Sequence, residues 1–320
     1  MAVIGSSDLD VLPIALGTNT FGWTADRDES FEILDAFVAG GGRLVDTADV
    51  YSAWVPGNSG GESEAIIGEW IASRGGRDQL VVATKVSSHP DYAGLGAANI
   101  AAAARQSLRR LQTDHIDLYL AHVDDPDTPL EETVSAFAEL VDGGAVRYVG
   151  PSNYTPDRIV EWIETAQRLG VAAPVALEPH YNLLRREPFE SGLSPLAARH
   201  DLGVLPYYGL AAGFLTGKYR SPEDADGVAR GSMVAAYLTD AGFAAADEVR
   251  AIAQQRGVAP ASVALAWLRT RPTVVAPIAG ATKVEQVPPL LAAATLELDA
   301  TELDRLERVS DAFAPAEPMR

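Results

Sequence analysis

Short apolar segments and amphipathic helical segments alternate along almost the entire chain, and this restricts the fold more than any other feature. Apolar runs at 12–16, 43–46, 80–85, 116–122, 146–150, 175–178, 204–207 and 274–278 read as strands. Most are followed by a stretch with helical periodicity: 28–39, 62–73, 97–111, 130–141, 155–169, 195–200, 241–255 with 261–270, and 284–294. In the first of these, Phe31, Ile33, Leu34, Phe37 and Val38 form the apolar face, and Gly40, Gly41 and Gly42 end it. Thr155 is placed to cap a helix that has Pro156 at its first position. Strand–helix alternation implies a parallel sheet. Eight such units in 320 residues predict an α/β fold, one (β/α)8 TIM barrel domain over 1–320. Residues 3–11 read as a short N-terminal β-hairpin, and 302–312 as a C-terminal tail helix. A doubly wound sheet lacks its usual support, because no G-x-G-x-x-G follows the first strand. Gly213 to Lys218 is one residue short of a phosphate loop, and Tyr219 stands where that loop needs Ser or Thr.

Composition removes whole classes of function. Without cysteine, thiolate metal centres and thiol nucleophiles are excluded. A net charge of −19 argues against nucleic acid or an anionic membrane as partner. No apolar run approaches the ~20 residues of a membrane helix. Residues 1–10 carry no basic-then-apolar leader, so a cytoplasmic location is expected. Of 25 basic residues only Lys85, Lys218 and Lys283 are lysine. A lysine kept where arginine fills the general surface role marks a place that needs a compact, tunable ammonium or a point charge for phosphate.

In a barrel of this kind, chemistry sits at the C-terminal ends of the strands. Those ends carry Asp46, Lys85, His122, Ser152 with Asn153, Glu178, Tyr207 and Gly280. Side chains alternate along a strand, so Asp46 shares a face with Leu44, Lys85 with Val81 and Ala83, and His122 with Leu118 and Leu120. If the apolar members fill the barrel, an acid, a lysine, a histidine and the loop phenol Tyr51 converge at its mouth. Such a set suits proton transfer to a carbonyl oxygen, with the phenol's pKa lowered by the neighbouring ammonium. Alone, Asp46 and Tyr51 read equally well as a turn-capping acid and a packing aromatic, and His122 as a core histidine.

The motifs resemble those of the aldo-keto reductase family. Asp46-Thr47-Ala48-Asp49-Val50-Tyr51 is similar to its signature. Thr84-Lys85, Leu118-Tyr119-Leu120-Ala121-His122, Ser152-Asn153-Tyr154, the run 178–184, Gly213-Phe214-Leu215-Thr216-Gly217-Lys218 and the run 280–286 follow in the family's order. The resemblance implies reduction of an aldehyde or ketone to an alcohol by hydride transfer from NADPH. It makes Tyr51 the proton donor, tuned by Lys85 and Asp46, and lets His122 orient a small-molecule carbonyl substrate. Gly17, Thr18 and Asn19 join the cofactor positions. Ser152, Asn153 and Glu178 would face the nicotinamide carboxamide, and Tyr207 would stack on its ring. The segment with Leu210, Gly213, Leu215, Gly217 and Lys218 would wrap the pyrophosphate. Gly280 and Thr282 are further cofactor positions, and Lys283 and Gln286 would meet the adenosine 2′-phosphate, favouring NADP over NAD.

Against the family pattern, Glu178 stands where glutamine is usual, Pro151 where an aliphatic residue is usual, Tyr208-Gly209 in place of Ser-Pro, and Leu290 in place of a polar residue. Trp23, Trp54, Tyr92 and Tyr181, with His89 in the loop after Lys85, are candidates for an aromatic substrate wall, or for simple packing. The unpatterned loops 52–61, 87–96 and 220–240 are expected to set the substrate. Two rival functions stay open. One is a metal-dependent hydrolase built on His122 with Asp124, Asp125 or Asp127, although no metal is expected because a second clustered histidine is missing and Lys85 and Tyr51 would be unexplained. The other is a nicotinamide-binding regulatory subunit, since some members of the family serve as channel partners.

Overall fold

The computed structural model describes residues 1–313. An antiparallel hairpin, β1 (Ala2–Val3) and β2 (Asp10–Val11), leads into β3 (Ala15–Gly17) and helix α1 (Arg27–Ala39). Then come β4 (Leu44–Asp46), α2 (Glu62–Arg74) and β5 (Val81–Val86). A small hairpin of β6 (Ser88–His89) and β7 (Tyr92–Ala93) precedes α3 (Ala97–Leu111). The alternation continues through β8 (Ile116–Ala121), α4 (Leu130–Asp142), β9 (Val146–Pro151), α5 (Pro156–Leu169), β10 (Ala176–Leu177), α6 (Ser194–Arg199) and β11 (Gly203–Val204). The short α7 (Gly231–Val234), then α8 (Asp240–Arg256), α9 (Pro260–Arg269), β12 (Ile278–Gly280), α10 (Val287–Ala292) and α11 (Ala300–Asp311) complete it.

Six parallel strands form one sheet in the order β12-β3-β4-β5-β8-β9, and β10 pairs in parallel with β11. Single bridges join these two pieces at both ends. Ser152 beyond β9 bridges Glu178 beyond β10, and Val204 of β11 bridges Val274 ahead of β12. The Val275 amide donates to Val204, and the Ile278 amide donates to Pro206. These bonds and the ladders link eight successive parallel strands. Among the described residues no helix is long and apolar enough to cross a membrane.

Alternation sorts the strand residues into two cores. Leu44, Val81, Ala83, Leu118 and Leu120 belong to an inner cluster; Val45, Val82, Tyr119 and Ala121, their neighbours in sequence, belong to the layer under the helices. Helix α3 shows how that outer layer is built. Its buried residues, Ile100, Ala103, Ala104, Ser107 and Leu111, recur at helical spacing on one face. The N-terminal hairpin adds Ile4, Leu9 and Val11 to the inner cluster. Gly5 at its turn has φ +50°, and a Cβ there would lie 2.2 Å from the Val175 carbonyl, so the hairpin packs against the N-terminal side of β10. The opposite, C-terminal side is left for polar groups.

Strand ends differ from the sequence reading in the later units. The segments expected at 175–178, 204–207 and 274–278 carry regular ladder pairing over only two or three residues, with isolated bridges extending them. The helix expected over 284–294 begins as a 3₁₀ turn, Val284–Gln286, before α10.

Candidate active site

β4 ends at Asp46, β5 carries Lys85 next to its end, and His122 directly follows β8. Since their apolar same-face partners fill the inner cluster, all three side chains project to the C-terminal mouth. Lys85 is fully buried. Its ammonium donates to Asp46 Oδ1 at 2.5 Å, to the Thr47 carbonyl at 2.9 Å and to Tyr51 Oη at 3.0 Å. The Tyr51 hydroxyl lies 3.3 Å from Asp46 Oδ2, as its donor. Glu178, just past β10, brings Oε1 to 3.3 Å from the same ammonium. The His122 ring meets the Tyr51 ring edge-on, with centroids 6.2 Å apart. Asn153, at φ +57°, donates to the His122 carbonyl and to Ser152 Oγ and accepts from the Tyr207 hydroxyl at 2.7 Å. Asparagine tolerates this left-handed backbone better than most residues.

Charge in the cluster follows from burial. Burial pushes the Tyr51 phenol above the usual tyrosine range; Asp46 adds to the rise, and the Lys85 charge opposes it. Lys85 acts on the phenol in the expected direction, but Asp46 opposes it and desolvation outweighs both, so the net shift is upward rather than downward. Burial disfavours the Lys85 ammonium, but its carboxyl neighbours, Asp46 first and then Glu178, hold it well above the usual lysine range. Burial, then Asp46, raises Glu178 well above the usual carboxyl range. Burial and the Lys85 charge drive His122 down to about 3, so its imidazole is neutral at physiological pH. Neutral imidazole can donate to an oxygen from one nitrogen, and Nδ1 has no protein partner here.

A cavity of about 840 Å³ opens over this cluster, within the range of small-molecule and cofactor sites. Asp46, Tyr51, Trp54 and His122 line one part; Ser152, Asn153, Glu178, Tyr207, Leu210, Gly213 and Lys218 continue it; Gly280, Thr282, Gln286 and Leu290 line the rest. Gly17 and Gly280 pair across β3 and β12. A Cβ on Gly17 would strike Ile278 at 2.8 Å, and one on Gly280 the Gly17 carbonyl at 2.9 Å. The pair keeps backbone bare along that wall. Lys218 lies beside Arg230, and partial desolvation followed by that charge lowers its pKa. Arg230 donates to Asn19 Oδ1 at 3.2 Å, while its Nε is buried without a partner. Among the described residues neither cation has a carboxylate within ion-pair distance, although the chain is strongly acidic. Two cations on one cavity wall with no carboxylate within ion-pair distance form a site for an anionic group.

The profile of the Aldo/keto reductase family matches residues 13–311. The chain belongs to the aldo/keto reductase family. Members are oxidoreductases acting on carbonyl compounds, generally with a nicotinamide cofactor. "Protein tas" of Escherichia coli (strain K12) is 32% identical, covering 98% of this chain and 99% of that protein. A "Probable voltage-gated potassium channel subunit beta" of Oryza sativa subsp. japonica is 33% identical over 89% of this chain and 88% of its own length. "Aldo-keto reductase ausK" of Aspergillus calidoustus is 32% identical over 96% and 80%.

Several positions expected at the site of this aldo/keto reductase lie elsewhere. Tyr181 is fully buried against Phe189 and Trp267, and its hydroxyl donates to Glu190, because it turns into the helix layer. His89 is buried under Gly60 and beside Tyr92, away from the cavity. Trp23 does not line the cavity; it packs edge-on against Trp54, which does. Thr18 ties the Asp46 carbonyl from behind at 2.8 Å. Leu215 is core, and Gly217 ends a turn at φ +77° against Arg250. Lys283 is exposed and ion-paired with Glu29 at 3.0 Å, so a phosphate there must compete with a carboxylate. Gln286 lines the cavity but accepts from the Thr282 amide at 2.8 Å. Arg230 was not among the expected residues, since it sits in the patternless 220–240 loop, where no periodicity marks it. The run His122–Asp127 does not gather its acids on the imidazole: Asp124 pairs with Arg158, and Asp125 accepts from Leu95, Asp127 and Thr128.

Proposed function

We propose that this chain reduces an aldehyde or ketone to an alcohol with NADPH, as a cytoplasmic enzyme folded as one (β/α)8 domain over 1–320. The observation that carries this reading is the Tyr51 hydroxyl, 3.0 Å from the Lys85 ammonium at the floor of the cavity and beside a neutral imidazole. The pair Lys218 and Arg230, without a carboxylate partner among the described residues and with Gly213 at φ +94° beside the Lys218 ammonium, suits the phosphates of a dinucleotide. Tyr207, Ser152, Asn153 and Glu178 line the same cavity and would hold a nicotinamide. When bound, the reduced nicotinamide supplies the hydride. The protein does the rest. His122 donates to the carbonyl oxygen and fixes its position. Tyr51 gives that oxygen its proton; Lys85 and Asp46 hold the phenol in place, and the Lys85 charge stabilises the phenolate left behind.

The test is NADPH oxidation with an activated aromatic aldehyde. Tyr51→Phe is expected to lower turnover by ~10²–10⁴-fold, the usual worth of a positioned acid, while circular dichroism and NADPH binding stay unchanged. Intact turnover in Tyr51→Phe removes the proton-donor role. Relatives named as potassium channel subunits favour a second reading, a nicotinamide-binding regulatory subunit. Tight NADPH binding with no turnover on any carbonyl supports it.

A further inference from the structure

Lys85 is shared by two carboxyl groups rather than one. Asp46 Oδ1 lies 2.5 Å from its ammonium and Glu178 Oε1 3.3 Å from it. All three side chains are at least 97% buried. Glu178 Oε2 is buried with no hydrogen-bond donor facing it. The groups facing Glu178 are few: Asp46 from β4, Lys85 from β5, Tyr51 from the loop after β4, and Tyr207 from the segment after β11. The Arg185 guanidinium shares a small adjoining cavity with it but makes no ion pair to it. Two ionised carboxylates on one ammonium would leave a net negative charge out of water with one carboxylate oxygen unpartnered. A proton retained on Oε1 removes the net charge and leaves Oε2 a neutral carbonyl, which costs less to bury without a partner. Asp46 makes the closer contact with the ammonium and so keeps the negative charge.

We propose that Glu178 holds this proton and is a positioning residue of the proposed reduction, the internal source that restores the Tyr51 phenol through Lys85. This rests on the carbonyl-reductase reading for its second half only. The steps balance. The Tyr51 O–H bond breaks as the substrate oxygen gains the proton. The phenolate then takes a proton from the Lys85 ammonium, across 3.0 Å. The amine so formed takes the Glu178 proton, across 3.3 Å, leaving Glu178 as carboxylate. Solvent reprotonates Glu178 once the cavity opens.

Two measurements test this. The first needs no cofactor. Infrared titration of the free protein in an Asp49→Asn background, which removes another buried acid, is expected to show a neutral carboxylic-acid carbonyl band that vanishes as pH rises. One carboxyl equivalent of that band is expected to be missing in Glu178→Gln. A wild-type titration without such a band, or a band that Glu178→Gln leaves unchanged, overturns the held proton. The second is a single turnover in weakly buffered solution with a pH indicator. In the wild type, proton uptake from solvent is expected to lag NADPH oxidation, and the lag is expected to disappear at high pH and in Glu178→Gln. Uptake in step with oxidation in the wild type overturns the relay. If neither protein oxidises NADPH, the reductase reading and the relay fail together, and the infrared band still decides whether Glu178 is protonated.

Discussion

Asp49 buries both carboxylate oxygens without a well-formed hydrogen bond to either, and burial, then nearby Glu64, lifts its pKa to about 8. An unfolded aspartate titrates near 3.9. Between those two values the folded chain binds more protons than the unfolded chain, so stability falls as pH rises from about 4 to about 8 and is level beyond, by up to ~1.4 kcal/mol per pH unit. Asp49→Asn removes that dependence. Its unfolding free energy, measured in denaturant from pH 6 to 9, is expected to exceed the wild type by an amount that grows up to about pH 8 and then holds. Cofactor affinity belongs to the same scale. Arg230→Ala removes a partly buried cation from the cavity wall, and a hydrogen bond to a charged group contributes ~1.5–3 kcal/mol. NADPH binding, followed by quenching of Trp54, is expected to weaken by ~10- to 100-fold. Lys283→Ala is expected to weaken it far less, because Lys283 is exposed and paired with Glu29.

Helix termini hold the outer layer in register. α11 begins with a capping box: Asp299 accepts from the Glu302 amide at 2.9 Å, and Glu302 accepts from the Asp299 amide at 2.8 Å. Glu302 also takes two hydrogen bonds from Arg256 at the end of α8, both 2.6 Å. One carboxylate therefore caps its own helix and ties it to another. Asp299→Ala is expected to cost ~1 kcal/mol, read as an earlier denaturation midpoint with no change in NADPH affinity, since α11 does not reach the cavity. α5 is capped as its residues predict, Thr155 accepting from the Arg158 amide behind Pro156. The hairpin β6–β7 carries no such advance notice. Two-residue strands are too short for a period of two to register, and this hairpin is what turns His89 away from the cavity.

At the scale of the molecule, the six-stranded sheet meets β10 through isolated contacts rather than a ladder. Gly150 marks the junction: a Cβ there would lie 2.4 Å from the Ala176 carbonyl. Gly150→Ala is expected to push β9 and β10 apart, to destabilise by ~1–3 kcal/mol, and to lower turnover by moving Glu178 off Lys85. Gly144→Ala is the control, at φ +74° with nothing within 4 Å; it carries backbone strain alone and is expected to leave turnover unchanged. The sequence by itself determined the alternating architecture and the inward faces of β4, β5 and β8, because side-chain alternation is a local property of a strand. It also determined that Asp46, Lys85 and His122 would leave the strands on one side. Tertiary structure alone decided which charges share a partner. Glu178 reaches Lys85, Arg230 joins Lys218, and Lys283 turns to Glu29, across sequence separations that no local pattern encodes. It also decided their protonation, since a pKa depends on burial and neighbours that exist only once the chain has folded.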